Sequence, residues 1–263
     1  MVYSIRSLIE TVRSKFYARS GEPYRIDGQL LRFVCGTRPV RLKYANSANL
    51  VNRYDALELK TLMSGVRCGQ TVFDVGANAG QYAIVMAALV GSSGRVVAFE
   101  PDPAALELLQ RNVSLNPGIK PPKIEPLAMS DSSGFTKFYV DAHSSANSSL
   151  AAASFAPKEL RELQVPTTTL DKYVEGQGAV PDWVKIDTEG AEIAILRGAR
   201  DLLKTDAKFL VELHPYAWAD FGVGFEELVD IVRVSGRTMR YLDREEELRA
   251  DPTYGVVSLD RLL

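Results

Sequence analysis

The chain has 263 residues, of which 46% are hydrophobic and 24% are charged, which is typical of a globular domain and excludes an intrinsically disordered chain. A formal net charge of −2 excludes the strong positive field that nucleic acid or an anionic membrane surface would attract, so we expect no nucleic-acid partner. The two cysteines and two histidines do not offer the spacing of a structural zinc site.

Two features of the sequence favour a cytoplasmic location. Cys35 and Cys68 do not suggest a disulfide framework, which fits a reducing compartment. Arg6, Glu10 and Arg13 interrupt any run that would resemble a signal peptide. We also expect no transmembrane segment, because the longest apolar run is far too short to cross a bilayer.

The first part of the chain predicts a small extension. Apolar residues from Val2 to Arg19 recur at helical spacing, which indicates a helix docked on the body of the protein or on a second subunit. A homodimer through this region and a membrane-surface helix are the open alternatives. From Tyr24 to Tyr44 the pattern changes to short strands, with a hairpin turn signal at Asp27-Gly28.

The boundary of the main domain is placed after this extension. Asn46 to Tyr54 has the pattern of a loop, and Asp55 to Met63 that of a helix. We therefore assign residues 1–54 to an N-terminal helix and small β extension, and residues 55–263 to the main domain.

The central motif lies between Thr71 and Tyr82. A short apolar strand ends at Asp74, and Gly76, Asn78 and Gly80 lead into an apolar helix. In doubly wound folds this turn lies where a nucleotide-like ligand binds. The spacing Asp-x-Gly-x-x-x-Gly differs from the dinucleotide motif, and the acid would repel a pyrophosphate, which disfavours an NAD-dependent oxidoreductase. We interpret these four residues as part of an S-adenosylmethionine site.

The next two strands extend the predicted cofactor site. Val96 to Phe99 is an apolar run followed by Glu100, about 20 residues after the glycine turn, where an acid binds ribose hydroxyls. Lys123 to Leu127 predicts a third strand. Ser130 and Asp131 follow it, and we expect them to face the adenine.

A segment of low complexity follows an extra predicted strand at Phe135 to Val140. Ten of the thirteen residues from Ala142 to Ser154 are alanine or serine, which are too small and polar to build a core. We predict a mobile loop there, and a plain linker and a lid over the active site remain equal alternatives.

Polar groups end the fourth and fifth predicted strands. Trp183 to Asp187 is followed by Glu189, and Phe209 to Leu213 is followed by His214. Strands and helices alternate along the chain, which predicts a parallel sheet covered on both faces. The remaining predicted elements are a short helix at Leu170 to Val174, a helix at Phe225 to Val234, and strands at Met239 to Leu242 and Val256 to Leu259.

Together these motifs resemble the FkbM-type S-adenosylmethionine-dependent methyltransferases. Tyr54-Asp55 also falls where the family has an aromatic–acid pair, with Asp in place of the usual Glu. The matching stretches are Val72 to Gly80, Phe99 to Pro101, Val184 to Glu192 and Val211 to Pro215. The resemblance implies an α/β class I methyltransferase (Rossmann-like) fold, doubly wound, with a mostly parallel seven-stranded sheet and an antiparallel last strand. It also implies O-methylation of a small-molecule hydroxyl on a sugar, polyketide or related natural product.

The proposed chemistry requires a proton acceptor beside the methyl group. A sulfonium methyl is already activated, so the enzyme mainly positions the acceptor and removes its proton. His214, Asp187 and Glu189 are the catalytic candidates, and His214 is preferred because the unperturbed pKa of histidine lies near neutral pH. Asp187 is also a candidate cofactor residue. We expect no metal, and the alternative is a magnesium site of Asp187, Glu189 and Glu212.

Two further functions stay open at this point. The chain could bind S-adenosylmethionine as a catalytically silent scaffold, or it could methylate an amide or amine nitrogen. Glu192, inside the start of a helix, is interpreted as structural.

Overall fold

In the computed structural model, residues 20–26, 28–33, 50–141, 144–149, 160–243 and 253–262 are described. The predicted helix at residues 2–19, the predicted strand at residues 40–42 and the Cys35 thiol lie outside these residues. The homodimer through the N-terminal region therefore stays a prediction.

Thirteen strands and six α-helices make up the described part of the chain. The strands are β1 (Glu22–Ile26), β2 (Gln29–Phe33), β3 (Thr71–Val75), β4 (Arg95–Phe99), β5 (Lys123–Glu125), β6 (Ala128–Met129), β7 (Gly134–Asp141), β8 (Ser144–Ser149), β9 (Leu160–Thr168), β10 (Trp183–Ile186), β11 (Lys208–Leu213), β12 (Arg237–Tyr241) and β13 (Gly255–Arg261). The helices are α1 (Leu50–Gly65), α2 (Gln81–Val90), α3 (Pro103–Ser114), α4 (Leu170–Gln177), α5 (Glu192–Arg197) and α6 (Phe225–Val234), with short 3₁₀ turns at Leu202–Lys204 and Pro215–Phe221.

A seven-stranded sheet forms the centre, in the order β12-β13-β11-β10-β3-β4-β5. The five strands from β11 to β5 run parallel, whereas β13 lies antiparallel between β11 and β12. The predicted class I methyltransferase (Rossmann-like) fold, with its antiparallel last strand, is confirmed. The strand order reverses between β3 and β10, and a ligand crevice is expected outside the carboxyl ends of those two strands.

Helices cover both faces of this sheet, so its inner strands are buried on both sides. Phe73 and Val75 of β3 point into one apolar cluster, and Val72 points into the other. This explains why β3, β4 and β10 are nearly continuous apolar runs. Helix α2 is buried over most of its surface, because seven of its ten residues lie in the interior.

The N-terminal hairpin packs against the main sheet. β1 and β2 pair antiparallel around the predicted turn, with Ile26 opposite Gln29. Leu31 and Phe33 are buried against Leu59 of α1 and against α2. The prediction of a loop up to Tyr54 is wrong from Leu50 onward, because α1 begins there. The domain boundary after residue 54 stays a prediction.

A second sheet stands beside the first, in the order β6-β9-β7-β8. β7 confirms the extra strand predicted at Phe135 to Val140. The predicted loop from Ala142 to Ser154 is wrong at Ser144–Ser149, because that segment pairs antiparallel with β7 as β8. β9 was not predicted, and it pairs with β7 over its whole length. Backbone pairing decides β8, since small polar side chains do not prevent it.

The other predicted elements are confirmed with shifts of a few residues at their ends. Asp102 caps α3, since its side chain accepts a hydrogen bond of 2.8 Å from the backbone N–H of Ala104. Among the described residues, no helix combines the length and the apolar character needed to cross a membrane.

Arg237 ties the antiparallel edge to the core. Its side chain is buried, and its guanidinium lies 4.9 Å from the centre of the Phe209 ring. It donates hydrogen bonds of 2.6–2.8 Å to the carbonyl oxygens of Leu203, Thr205, Ala207 and Leu259. Four carbonyl groups of loop and strand thus depend on one side chain.

Arg237→Met should lower the free energy of unfolding by about 3 kcal/mol or more, because each buried carbonyl left without a donor costs about 1–3 kcal/mol. The matched control is Arg240→Met on the same strand, whose side chain is 71% exposed and lies 3.5 Å from Asp260. The control should cost about 0–1 kcal/mol. Urea unfolding measures both, and equal losses would show that Arg237 has no special structural role.

Candidate active site

A cleft opens at the carboxyl ends of β3, β4 and β10. Its walls come from the glycine turn, from the strand ends at Glu100 and Met129, and from the turn after β10. The lining residues are Val75, Gly76, Ala77, Asn78, Gln81, Tyr82, Phe99, Glu100, Pro101, Leu127, Ala128, Met129, Phe138, Lys185, Asp187, Thr188, Glu189 and Ala191.

The two glycines of the turn are required by packing inside the protein. Gly76 has φ +80°, and a Cβ there would lie 1.8 Å from the carbonyl oxygen of Asp187. Gly80 has φ +80° at the start of α2, where a Cβ would lie 2.4 Å from Leu109 of α3. Gly76 therefore lines the cleft, whereas Gly80 sets the contact between α2 and α3.

Glu100 closes the turn from the neighbouring strand. Its carboxylate accepts hydrogen bonds of 2.8 Å from the backbone N–H groups of Asn78 and Asp102. Asn78 adopts φ +47°, and its own side chain accepts from the N–H of Ala79. Burial raises the pKa of Glu100 to about 7, because its effect exceeds the lowering effect of these two hydrogen bonds. The carboxylate keeps lone pairs for further donors at the cleft.

Asp74 lies beneath the cleft and is fully buried. The Lys185 ammonium lies 3.8 Å from Asp74, 3.8 Å from Glu58 of α1 and 3.2 Å from Asp187. Burial raises the pKa of Asp74 to about 6, against the lowering effect of Lys185. Burial would lower the pKa of Lys185, but the charges of Asp187, Glu58 and Asp74 have the larger, opposite effect. The pKa is therefore raised above its ordinary value, and the ammonium stays charged.

The predicted adenine residues lie just beyond the cleft. The backbone N–H of Ser130 donates to Thr168, and Asp131 lies 3.4 Å from the guanidinium of Arg197. Leu127 to Met129, immediately before them, line the cleft instead. The roles of Ser130 and Asp131 stay predictions.

The turn after β10 presents two carboxylates to the cleft. Asp187 is 28% exposed and Glu189 is 32% exposed. Burial would raise the pKa of Asp187, but Lys185 and His214 hold it below its ordinary value. Burial raises the pKa of Glu189, which adopts φ +50° and accepts a 2.5 Å hydrogen bond from the Tyr216 hydroxyl.

His214 stands behind these carboxylates and is 2% exposed. Its Nε2 atom lies 3.9 Å from Asp187 and 3.7 Å from Glu189, and its Nδ1 atom lies 2.9 Å from Glu192. Burial would lower the pKa of His214, but the hydrogen bond to Glu192 and the three carboxylate charges raise it to about 10. The imidazole is therefore protonated at neutral pH in the ligand-free protein, so its unperturbed pKa is no reason to prefer it as a base.

Comparison with known proteins places this fold and site in a family. The model of the methyltransferase FkbM domain matches residues 74–241, which is more than half of the chain. The chain belongs to the FkbM methyltransferase family. The matched segment is a methyltransferase domain, and its cofactor is S-adenosylmethionine.

Individual relatives are more distant. The hexuronic acid methyltransferase AglP of Haloferax volcanii is 29% identical over 161 residues, which cover 59% of this chain and 61% of that protein. The chain thus spans less than two thirds of that relative. A solved FkbM methyltransferase of Methylobacillus flagellatus has a TM-score of 0.48 and 14% identity, covering 80% of this chain and 52% of that chain. Aeropyrum pernix fibrillarin with bound S-adenosylmethionine has a TM-score of 0.45 and 14% identity, covering 92% of this chain and 83% of that chain.

The residues of this FkbM methyltransferase fit the cofactor chemically. Glu100 lines the cleft with a carboxylate of the kind that suits ribose hydroxyls, and Leu127, Met129 and Phe138 line it with apolar surface that suits a purine ring. Asp187 and Glu189 give the other end of the cleft a negative charge, which attracts a sulfonium cation. The Asp74 carboxylate acts on this end only through Lys185 and Asp187.

The residues that lie close enough together to share a metal ion differ from the predicted magnesium ligands. Ligand atoms of Asp187, Glu212 and His214 lie within 4.8 Å of one another, and Glu189 is not part of this group. Glu212 already accepts a hydrogen bond from Tyr254, and Lys185 already neutralises part of the Asp187 charge. Burial and the charge of Asp187 raise the pKa of Glu212. A metal-free site stays a prediction.

Several site residues escaped the sequence analysis. Lys185 is a lysine inside an apolar strand, on the same face as Asp74 of the adjacent strand, and this alternation was a usable signal. Glu192 forms a buried hydrogen-bonded pair with His214, so its interpretation as structural alone is incomplete. Glu58, Tyr216 and Tyr254 come from distant segments, and no local pattern marks them.

Cofactor affinity should rise with pH between about 5 and 8. Glu100, which lines the cleft, has a pKa of about 7, and Asp74 beneath it has a pKa of about 6. Loss of these protons adds negative charge at and below the cleft, which favours a cationic ligand. If Glu100 must be ionised, the affinity should fall about tenfold for each pH unit below 7. Calorimetric titration of the purified protein with S-adenosylmethionine measures this.

Two variants separate Glu100 from general effects of pH. Glu100→Ala should weaken binding by about 1.5–3 kcal/mol at pH 8, as expected when charge-assisted hydrogen bonds are lost. The same variant should flatten the dependence near pH 7. Glu175→Gln, at an exposed position on α4, should leave both the affinity and its pH dependence unchanged. Unchanged affinity in Glu100→Ala would remove this residue from the site.

Proposed function

We propose that this FkbM methyltransferase transfers a methyl group to a hydroxyl oxygen of a sugar-type small molecule, with His214 as the final proton acceptor. The observation that carries the proposal is the position of Nε2 of His214, 3.7–3.9 Å from two carboxylates that line the cleft. An O–H bond is replaced by an O–CH₃ bond, and the proton passes to Nε2. S-adenosylmethionine, when bound, would supply the activated methyl group, with its S–CH₃ bond breaking and a neutral thioether leaving.

The charge of the cleft favours a neutral hydroxyl acceptor. Asp187 and Glu189 can accept hydrogen bonds from sugar hydroxyl groups and hold one of them near the methyl donor. A carboxylate acceptor would meet two like charges at the same place. These charges therefore argue for a hydroxyl rather than an acid as the methylated group.

An exposed tyrosine beside Glu189 supports a sugar-type acceptor. Tyr216 is 48% exposed beside Glu189, to which its hydroxyl donates. Its ring also lies 5.7 Å from the His214 ring, nearly perpendicular to it. Tyrosine offers an apolar face with a polar tip, which suits a sugar ring that carries both C–H and O–H groups. The Haloferax relative is named for a sugar acid, which agrees with a sugar-type acceptor, although its carboxylate is the group that the charges of the cleft disfavour.

The function can be tested with methyl-labelled S-adenosylmethionine and three acceptors, namely a neutral hexose glycoside, a hexuronic acid and an amino sugar. We expect the label to enter a hydroxyl of a sugar, identified by mass spectrometry and NMR of the product. Label on nitrogen would favour N-methylation, and label on a carboxylate would contradict the charge argument. Cofactor binding without transfer to any acceptor would favour a scaffold.

The proton acceptor is tested by the pH dependence of single-turnover methyl transfer. For wild type, we expect the rate to rise with pH as His214 loses its proton. The carboxylates raise the pKa of His214 from its ordinary value of about 6.5 to about 10 in the ligand-free protein, so the rise should lie between these two pH values. The positive charge of the bound cofactor should move this rise below pH 10, because like charges disfavour the imidazolium.

His214→Asn should lower the rate about 10²–10⁴-fold at the wild-type optimum and remove the rising limb, because the amide cannot take the proton. S-adenosylmethionine affinity should not fall, because the variant removes a positive charge near a cationic ligand. If His214→Asn keeps the wild-type rate while Asp187→Asn or Glu189→Gln loses it, the base is a carboxylate and the assignment is wrong.

A further inference from the structure

Glu192 is the most completely enclosed carboxylate around the proposed catalytic group. It opens α5 with 0% exposure, inside the core and away from the cleft. Three donors converge on it: the backbone N–H of Gly190 at 2.7 Å, the indole N–H of Trp218 at 2.8 Å and the imidazole of His214 at 2.9 Å. Burying a charge is costly, so we expect a fully buried carboxylate with three hydrogen-bond donors to have a role beyond capping α5.

The donor types fix where the proton lies between Glu192 and His214. The N–H groups of Gly190 and Trp218 can only donate, so Glu192 accepts from both. The only partner of Glu192 that can share a titrating proton is therefore Nδ1 of His214. As a carboxylate, Glu192 accepts in this contact too, so Nδ1 of His214 carries the hydrogen atom between them.

The other ring nitrogen is thereby assigned to the cleft side. Nε2 lies beyond hydrogen-bond distance from Asp187 and Glu189, which line the cleft. When the imidazole is neutral, its proton lies on Nδ1 and its lone pair on Nε2. This is the tautomer that can take a proton from a group held by Asp187 and Glu189.

We propose that Glu192 is a positioning residue for methyl transfer, which holds His214 in the Nδ1–H tautomer with Nε2 directed to the acceptor side. This inference rests on the proposed function for its catalytic meaning, but the tautomer and the coupling are properties of the protein alone. Glu192 acts through His214 and contacts neither acceptor nor cofactor.

Other groups around the ring do not fix the tautomer. Asp187 and Glu189 raise proton affinity from the Nε2 side, and the rings of Tyr216 and Tyr254 pack against the imidazole with their edges and faces. Among the described residues, the titratable groups that face His214 are Asp187, Glu189, Glu192, Glu212, Tyr216 and Tyr254. Of these, only Glu192 lies within hydrogen-bond distance of a ring nitrogen.

The chain is well suited to a direct test, because it contains only two histidines. In a His143→Asn background, ¹⁵N-labelled histidine reports on His214 alone, and its two ring-nitrogen shifts give both tautomer and proton affinity across pH. Glu192→Gln removes the charge with little change of shape. Trp218→Phe is the matched control, because it removes another donor to Glu192 and leaves the contact with His214.

We expect neutral wild-type His214 to carry its proton on Nδ1. Glu192→Gln should lower its proton affinity at least about tenfold, since a close carboxylate charge is worth that much or more. The same variant should move the rising limb of the single-turnover pH profile to lower pH and reduce the plateau rate. Trp218→Phe should leave the titration and the position of the limb as in wild type.

The inference is overturned if Glu192→Gln leaves the His214 titration unchanged, or if Trp218→Phe shifts it equally. Should Glu192→Gln not fold, the wild-type spectrum decides, because a neutral imidazole with its proton on Nε2 contradicts the proposal. Absence of methyl transfer to every sugar tested would defeat the proposed function and leave the NMR result on Glu192 intact. The two failures are therefore distinguishable.

Discussion

Lys185 places an ammonium group inside the central sheet, 1% exposed, and the charges of the site are arranged around it. It lies within 3.8 Å of Glu58, Asp74 and Asp187, and 4.4 Å from the centre of the Tyr82 ring. Carboxylates this deep would be too costly without a counter-charge. Lys185 thus links α1, β3 and the turn after β10, and it allows Asp187 to remain ionised at the cleft.

The same region holds more negative than positive charge. Glu58, Asp74, Asp187, Glu189, Glu192 and Glu212 surround two cations, Lys185 and His214. The excess explains why the pKa of His214 is raised despite burial, and it adds to the effect of burial in raising the pKa of Glu212. A cationic ligand in the cleft relieves this excess, so cofactor binding and the protonation of His214 are coupled through charge.

Backbone geometry builds the cofactor end of the cleft with little help from side chains. The N–H groups of Gly76 and Ala77 both donate to the carbonyl oxygen of Phe99 at 3.0 Å, and the N–H of Asn78 donates to Glu100. The turn after β3 is therefore fastened to the end of β4. Glu100 thus holds the turn and also lines the cleft.

The sequence by itself determined the alternating strands and helices, the glycine turn and the acids at the strand ends, because each rests on local spacing. The pairing of Ser144–Ser149 with β7 could not be predicted from the sequence, since small polar side chains carry no periodic signal. Backbone hydrogen bonds to β7 form this strand. The buried ionisable network was decided by tertiary structure, because Glu58, Lys185, Glu192 and Glu212 come from four separate elements. Only the juxtaposition of Glu192, Glu189 and Asp187 around the buried ring sets the pKa of His214, since desolvation and charge depend on distance in space rather than on position in the chain.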